Sequence, residues 1–234
     1  MTITETTTVA EIATAVPPSV RVFQRYDIDF CCGGKRTIGE VCRARGLSVA
    51  ALAHEIEAAA ATRTAADRDW TAEPLRAVID HIITAYHDSL RQELPRLQAM
   101  ATKVESVHGR QEPALACIAA IVAELAADLN AHMSKEERVL FPAIAAREAG
   151  AVDAIPLDAP ISVMEHEHER AGALLAELRE RTDGYEPPEW GCATLRALYQ
   201  GLAELDAAMQ VHVHLENNVL FPRALRANEV RAGG

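Results

Sequence analysis

The sequence predicts an all-α protein in which an antiparallel four-helix bundle follows a small helical domain. Only 4 % of the residues are aromatic, while alanine and leucine are abundant, and this composition suits packed helices better than a sheet. Apolar residues also recur at helical spacing over four long stretches. The third observation is a repeat: the motif H-x-x-x-E-x-x-V-L-F-P occurs at 132–142 and again at 212–222.

Charge and cysteine content restrict the class of protein. The 234 residues carry a formal net charge of −11, which argues against nucleic acid and anionic membranes as partners. The five cysteines are scattered apart from one adjacent pair, so they do not form a disulfide framework and they indicate a reducing compartment. We find no signal sequence and no stretch that spans a bilayer, and we expect a cytoplasmic protein.

The uneven distribution of charge predicts two domains. Residues 1–68 carry eight basic and eight acidic side chains, whereas residues 69–234 hold the whole net charge. The first domain is expected to contain four short helices, with Thr37 and Ser48 as the N-caps of the third and fourth. The polar stretch 62–72 has no clear period and is predicted to be a linker.

The second domain is predicted to contain four long helices that form two similar hairpins, as a duplicated bundle would. We expect Pro95 to kink the first of these helices. The predicted helices cover about 73–103, from about 115 into the first motif copy, 160–182 and 192–228, and the predicted connections are 109–113, 150–160 and 184–191.

The repeated motif predicts a metal site. Residues i and i+4 lie on the same face of a helix, so His132 points the same way as Glu136, and His212 the same way as Glu216. Imidazole nitrogen and carboxylate oxygen are ligands that suit iron, manganese or zinc. Two such helices facing each other supply a dinuclear site of the kind found inside helix bundles.

The other two long helices each offer two histidines. His87 precedes the first motif by 45 residues, and His168 and His166 precede the second by 44 and 46, so spacing alone does not choose between the last two. Apolar residues follow His168 at +3 and +7, whereas a glutamate follows His166 at +3, and His81 lies well round the helix from His87. The predicted ligands are His87, His132, Glu136, His168, His212 and Glu216.

Four histidines and two glutamates suit two metal ions, with two histidines on each ion and both carboxylates bridging. Positions left open on the metals would take oxygen, nitric oxide or water, which indicates a reactive site. One H-x-x-x-E is common by chance, so the prediction depends on the second copy. The remaining histidines are interpreted as ordinary surface or core residues: His54, His81, His108, His166 and His214.

These motifs resemble the repair-of-iron-centres family, whose members are haemerythrin-like di-iron bundles with a small N-terminal domain. The stretches that carry the resemblance are 26–35 (YDIDFCCGGK), 80–88, 101–105, 160–168 and 215–222. The resemblance implies two non-haem iron ions on the six residues above. It also implies repair of iron–sulfur clusters damaged by nitrosative or oxidative stress, by nitric oxide binding or reduction or by iron donation.

Cys31 and Cys32, followed by two glycines, are the second chemical feature. Adjacent cysteines do not easily chelate one metal, and their mutual disulfide is strained; the simpler alternative is a turn with two small residues. We predict that this pair is the reactive thiol group, because thiolates are soft ligands that accept nitric oxide or hand over iron. The other three cysteines are predicted to be packing residues: Cys42, Cys117 and Cys192.

The predicted partners are damaged iron–sulfur proteins, with nitric oxide or oxygen as small ligands. Three alternatives stay open: a di-iron nitric oxide reductase with turnover, a haemerythrin-like sensor or carrier of oxygen or nitric oxide, and a metal-free structural bundle. The sequence does not decide whether the protein is an enzyme. It also leaves the oligomeric state open, and a homodimer is compatible with it.

Overall fold

A computed structural model describes residues 1–64, 67–151 and 155–232, without the side chains of 227–232. Over these ranges the chain forms helices, and the only extended pairing is an isolated bridge between Thr8 and Thr37. The prediction of an all-α protein is therefore confirmed. Parts of the predicted linker (65–66) and of the predicted loop at 150–160 (152–154) lie outside the described residues.

Contacts divide the chain into two compact units. One consists of Met1–Val78 together with Gln210–Gly234, and the other of Ile79–Met209. The domain boundary predicted after residue 68 depends on the distribution of charge in the sequence, and it stays a prediction.

Four short helices begin the first unit: α1 (Val9–Ala15), α2 (Ser19–Arg25), α3 (Ile38–Arg45) and α4 (Val49–Ala61). Thr8 and Thr37 each form a capping box with the glutamate three residues further on, and Ser48 accepts a hydrogen bond from the amide of Ala51. These bonds satisfy amides that the first helical turn leaves unpaired. The N-caps predicted at Thr37 and Ser48 are confirmed.

The apolar faces of these helices meet in one core. Phe23 and Phe30 lie at its centre, both fully buried, with ring centroids 6.1 Å apart. Val211, from the C-terminal segment of the same unit, packs against this core. The fold of the first unit therefore joins the N-terminal helices to the end of the chain that carries the second motif copy.

Four long helices follow, and three of them contain a π-helical segment. Helix α5 covers 75–108 (Leu75–Ile82, π segment Ile83–His87, Asp88–His108) and α6 covers Ala114–Glu148 (Ala114–Lys135, π segment Glu136–Leu140, Phe141–Glu148). Helix α7 covers Asp158–Arg181, and α8 covers 193–232 (Ala193–His214, π segment Leu215–Leu220, Phe221–Ala232). Helix α5 runs on through Pro95.

The second unit is a four-helix bundle. Helix α5 packs against α6, and α6 packs against α7. Arg179 of α7 binds Asp206 of α8 with two hydrogen bonds of 3.1 and 2.6 Å. Gly201 of α8 lies so close to α5 that a Cβ there would come within 2.7 Å of the end of the Leu97 side chain. These contacts close the ring of four helices that the sequence predicts.

One stretch of the described residues, Ala114–Glu148, is long and apolar enough to cross a membrane by length and composition. This stretch was not expected from the sequence. Part of it faces the interior of the bundle, where Ile118, Leu125 and Met133 are at most 1 % exposed.

Candidate metal centre

Two of the four metal-ligand candidates in the second unit lie in π-helical segments. His87 ends the π segment of α5, and Glu136 begins the π segment of α6. Both side chains are 0 % exposed. A π segment inserts a wider turn that redirects the side chains around it, and such segments occur frequently at functional sites.

Three imidazoles gather round the carboxylate of Glu136. Nε2 of His87 and Nε2 of His132 lie 3.4 and 3.3 Å from Oε2 of Glu136, and Nε2 of His168 lies 3.0 Å from Nε2 of His132. All four side chains are buried. The second unit thus brings four of the six predicted ligands together.

The first unit holds the other two predicted ligands. Nε2 of His212 lies 3.0 Å from Oε1 of Glu216, and both side chains are 0 % exposed. Glu216 belongs to the π segment Leu215–Leu220. The pair therefore has the i, i+4 arrangement on one helix face that the repeat predicts.

Glu136 provides a test of whether these side chains suit a metal. Both of its carboxylate oxygens are buried, and neither accepts a hydrogen bond from any described residue. Burying a carboxylate without donors is strongly unfavourable. A cation between this carboxylate and the facing imidazole nitrogens would offset that cost. The donor set of nitrogen and oxygen suits iron, so the side chains fit a metal centre.

Two glutamates hold the outer nitrogens of these imidazoles. Nδ1 of His87 lies 2.7 Å from Oε1 of Glu137, and Nδ1 of His132 lies 2.9 Å from Oε2 of Glu167. A carboxylate at Nδ1 fixes the ring so that Nε2 faces the metal. Sequence reasoning missed both residues, although each is directly adjacent in sequence to a predicted ligand.

Basic side chains keep both outer glutamates ionised. Arg91 donates to Glu137, and Lys135 donates to Glu167. Burial raises the pKa of each glutamate, but the hydrogen bonds from these bases and from the imidazoles outweigh it, and each pKa lies below its ordinary value. The imidazoles are therefore oriented by charged carboxylates at neutral pH.

The structure separates the two histidines of α7 that spacing did not. His168 is 1 % exposed, whereas the side chain of His166 is 83 % exposed and lies 3.7 Å from Glu169.

His214, interpreted from sequence as ordinary, is only 4 % exposed. Burial lowers the pKa of His214 to about 4, against the opposing effect of a hydrogen bond with the backbone of Phe30.

Cys31 and Cys32 lie in a loop that Asp29 organises. One oxygen of Asp29 accepts hydrogen bonds from the amides of Cys31 and Cys32 (2.9 and 3.1 Å) and from the Cys31 thiol (3.2 Å), and the other accepts from the amide of Gly33 (2.9 Å). Hydrogen bonding to Cys32, burial and the charge of Asp29 all raise the pKa of the Cys31 thiol. Cys31 is therefore a protonated thiol at neutral pH.

The other cysteines differ in their surroundings. Cys42 is buried in the core of the first unit, as predicted. Cys117 is exposed, so its prediction as a packing residue is wrong. It lies on the solvent side of α6, where small side chains recur on both faces and the periodicity does not separate them.

The fold and the buried histidine and glutamate groups define the class of protein: a haemerythrin-type, di-iron-binding bundle. The Hemerythrin HHE cation binding domain matches residues 78–224, and a Domain of Unknown function (DUF542) matches residues 5–60. The predicted di-iron cofactor agrees with this class and is confirmed.

Whole-chain comparison identifies the family within that class. The chain is 44 % identical over 216 residues to the "Iron-sulfur cluster repair protein YtfE" of Pectobacterium atrosepticum, covering 92 % of this chain and 95 % of the relative. It is 42 % identical over 219 residues to the protein of the same name from Cronobacter sakazakii, covering 92 % and 94 %. The chain belongs to this family of iron–sulfur cluster repair proteins, and the resemblance found in the sequence is confirmed.

Proposed function

We propose that the chain is a di-iron protein that repairs iron–sulfur clusters damaged by nitrosative or oxidative stress. The observation that carries the proposal is the buried carboxylate of Glu136, which lacks hydrogen-bond donors and faces imidazole nitrogens. Relatives that share at least 40 % of their residues with the chain, over 92 % of its length, bear the name of cluster repair proteins.

The proposed iron ligands are the six residues singled out by the repeat. Their support is the duplicated motif, the burial of every member and a family match whose range includes all of them. The irons would supply Lewis acidity, a one-electron redox change and open positions for nitric oxide or oxygen. The proposed ligands are His87, His132, Glu136, His168, His212 and Glu216.

Residues around the ligands would prepare this site. Glu137 and Glu167 hold His87 and His132 with Nε2 directed inward. Since Arg91 and Lys135 donate to these glutamates and keep them ionised, the charged carboxylates orient both rings for metal binding. Loss of either outer glutamate is expected to weaken metal binding without removing a ligand.

The thiols Cys31 and Cys32 are proposed to exchange nitric oxide or iron with the damaged cluster. Hydrogen bonding to Cys32, burial and the charge of Asp29 raise the pKa of the Cys31 thiol, so this thiol would release its proton on binding a metal. Both reduction of nitric oxide and iron donation agree with this arrangement. Nitrous oxide release under reducing conditions identifies a nitric oxide reductase, and reversible oxygen binding by the reduced protein identifies a carrier or sensor.

The remaining parts of the proposal concern organisation and location. We propose domains at 1–68 and 69–234, with damaged iron–sulfur proteins as macromolecular partners. We place the protein in the cytoplasm, because free cysteines and iron–sulfur substrates belong to a reducing compartment. A homodimer is the first oligomeric state to test.

The test is reactivation of a nitric-oxide-damaged aconitase by the full-length protein. We expect recovery with the wild-type protein and its loss in His132→Ala, which lacks a proposed iron ligand. We also expect its loss in the double variant Cys31→Ser, Cys32→Ser at iron content equal to wild type. Cys117→Ser is the matched control, since Cys117 is exposed and lies outside the proposed site. Equal reactivation by all variants would contradict the proposal.

A further inference from the structure

The two copies of the repeated motif differ at five positions, and two of these concern the loop that holds Cys31 and Cys32. Ser134 and Arg138 occupy these positions in the first copy, and His214 and Asn218 occupy them in the second. Arg138 is exposed, whereas His214 is buried. The second copy therefore carries a polar pair, four residues apart, with a partner that the first copy lacks.

The partner of this pair is the residue before the two thiols. Nδ2 of Asn218 donates a hydrogen bond to the carbonyl oxygen of Phe30 at 3.2 Å and lies 3.0 Å from Nδ1 of His214. The rings of Phe30 and His214 meet edge to face, with centroids 5.6 Å apart. The side-chain amide of Asn218 thus contacts both the loop carbonyl and the neighbouring imidazole.

Phe30 fixes the place of the thiol loop. Its side chain is 0 % exposed in the core of the first unit. In the loop that follows, Asp29 accepts hydrogen bonds from the backbone amides of Cys31, Cys32 and Gly33. A Cβ at Gly34 would come within 2.7 Å of the Phe30 carbonyl oxygen. Because Cys31 directly follows Phe30 in the chain, a shift of this carbonyl also moves Cys31.

One helix carries both the thiol-loop contact and two proposed iron ligands. His212 and Glu216 lie on one face. His214 is displaced from His212 by two residues, which is about 200° round an α-helix, and Asn218 follows Glu216 by two residues inside the π segment Leu215–Leu220. The ligand pair therefore lies on one side of the helix, and His214 and Asn218, which contact Phe30, lie on the other. Asn218, which binds the Phe30 carbonyl, is two residues from Glu216 on the same helix.

We propose that His214 and Asn218 are positioning residues that hold the Cys31–Cys32 loop on the helix that carries Glu216. The pair sets where the thiols stand relative to this helix and couples the loop to its movement. The functional part of this inference rests on the proposed role of the thiols. The structural part does not, and the two are measured separately.

The test compares Asn218→Leu, which removes both donors at similar volume, with Asn218→Gln, which keeps an amide. Arg138→Leu, at the equivalent position of the first motif copy, is the matched control. Cys31 and Cys32 alkylation by iodoacetamide and amide hydrogen exchange of 31–33 are read by peptide mass spectrometry in the full-length protein. Exchange in α3 and iron content report on general folding and on the metal site.

Asn218→Leu is expected to speed loop exchange and alkylation roughly tenfold, as for the loss of two ordinary hydrogen bonds. Asn218→Gln should recover part of the protection, and Arg138→Leu should equal wild type. Exchange in α3 and iron content should not change. Wild-type loop exchange in Asn218→Leu, or an equal loosening of α3, would overturn the positioning role.

Repair activity then separates the two levels of the inference. Slower aconitase reactivation by Asn218→Leu at full iron content supports the coupling of the loop to function. If Asn218→Leu loosens the loop but the double variant Cys31→Ser, Cys32→Ser repairs as well as wild type, the positioning role of His214 and Asn218 is supported. The proposed role of the thiols is then overturned.

Discussion

Replacing Glu136 by leucine is expected to stabilise the metal-free protein and to abolish its stabilisation by iron. The side chain is 0 % exposed, and its oxygens accept no hydrogen bond within the described part of the chain. Leucine has a similar volume and needs no donors. The variant thus removes an unfavourable buried group and, at the same time, a proposed bridging ligand.

The magnitude follows from the cost of the buried carboxylate. A buried polar group without a hydrogen-bond partner costs about 1–3 kcal/mol, so we expect its removal to stabilise the metal-free protein by about 2 kcal/mol. For a chain of this length, that free energy corresponds to a rise in Tm of about 4–8 °C. Iron at 100 times its Kd would add about 2.7 kcal/mol per independent site to the wild-type protein and nothing comparable to the variant.

The assay is thermal unfolding followed by circular dichroism under anaerobic conditions, once with a chelator and once with excess ferrous iron. The variant should melt above wild type in chelator and below it in iron. Glu169→Leu is the control, because the side chain of Glu169 is 71 % exposed on α7. It should change the free energy of unfolding by no more than about 0.5 kcal/mol in either condition. A variant that is destabilised in chelator, or that iron still stabilises fully, would refute the reasoning.

Three further predictions use other parts of the chain. His168→Ala should lower iron content sharply and His166→Ala should leave it unchanged, because only the first is buried beside His132; the reverse pattern in metal analysis would show a wrong register. Asp29→Asn should shift the pH profile of Cys31 alkylation to lower pH, because the charge of Asp29 is one of the causes that raise the pKa of the Cys31 thiol. The alkylation rate at pH 8 should rise by up to about tenfold. An unchanged profile would count against this cause. Gly34→Ala should destabilise the protein by about 1–3 kcal/mol in urea unfolding, because its Cβ would meet the Phe30 carbonyl and Ala10; a neutral change would show that the loop yields.

Local signals predicted the helices well. The predicted N-caps Thr37 and Ser48 mark helix starts by hydrogen bonds within a few residues, so the sequence contains the whole cause. The π segments could not be predicted in the same way. They depend on how a buried side chain such as Glu136 must be directed in the folded bundle, and one inserted residue leaves composition and periodicity almost unchanged.

The candidate site was predictable as far as the repeat extended. His132 with Glu136, and His212 with Glu216, follow from helix geometry alone. Glu137, Glu167 and the Asn218–Phe30 contact could not be found, because each joins segments distant in sequence. Their identification needs tertiary structure, which spacing along one helix does not contain.

Metal stoichiometry tests the central claim most directly. The full-length protein, purified and reconstituted with ferrous iron under anaerobic conditions, is dialysed and its iron is measured per chain. The account predicts about two irons per chain, and the loss of most of both in Glu136→Leu and in Glu216→Leu. Full iron loading in either variant, or a wild-type protein that retains no iron, would contradict a di-iron centre on these residues.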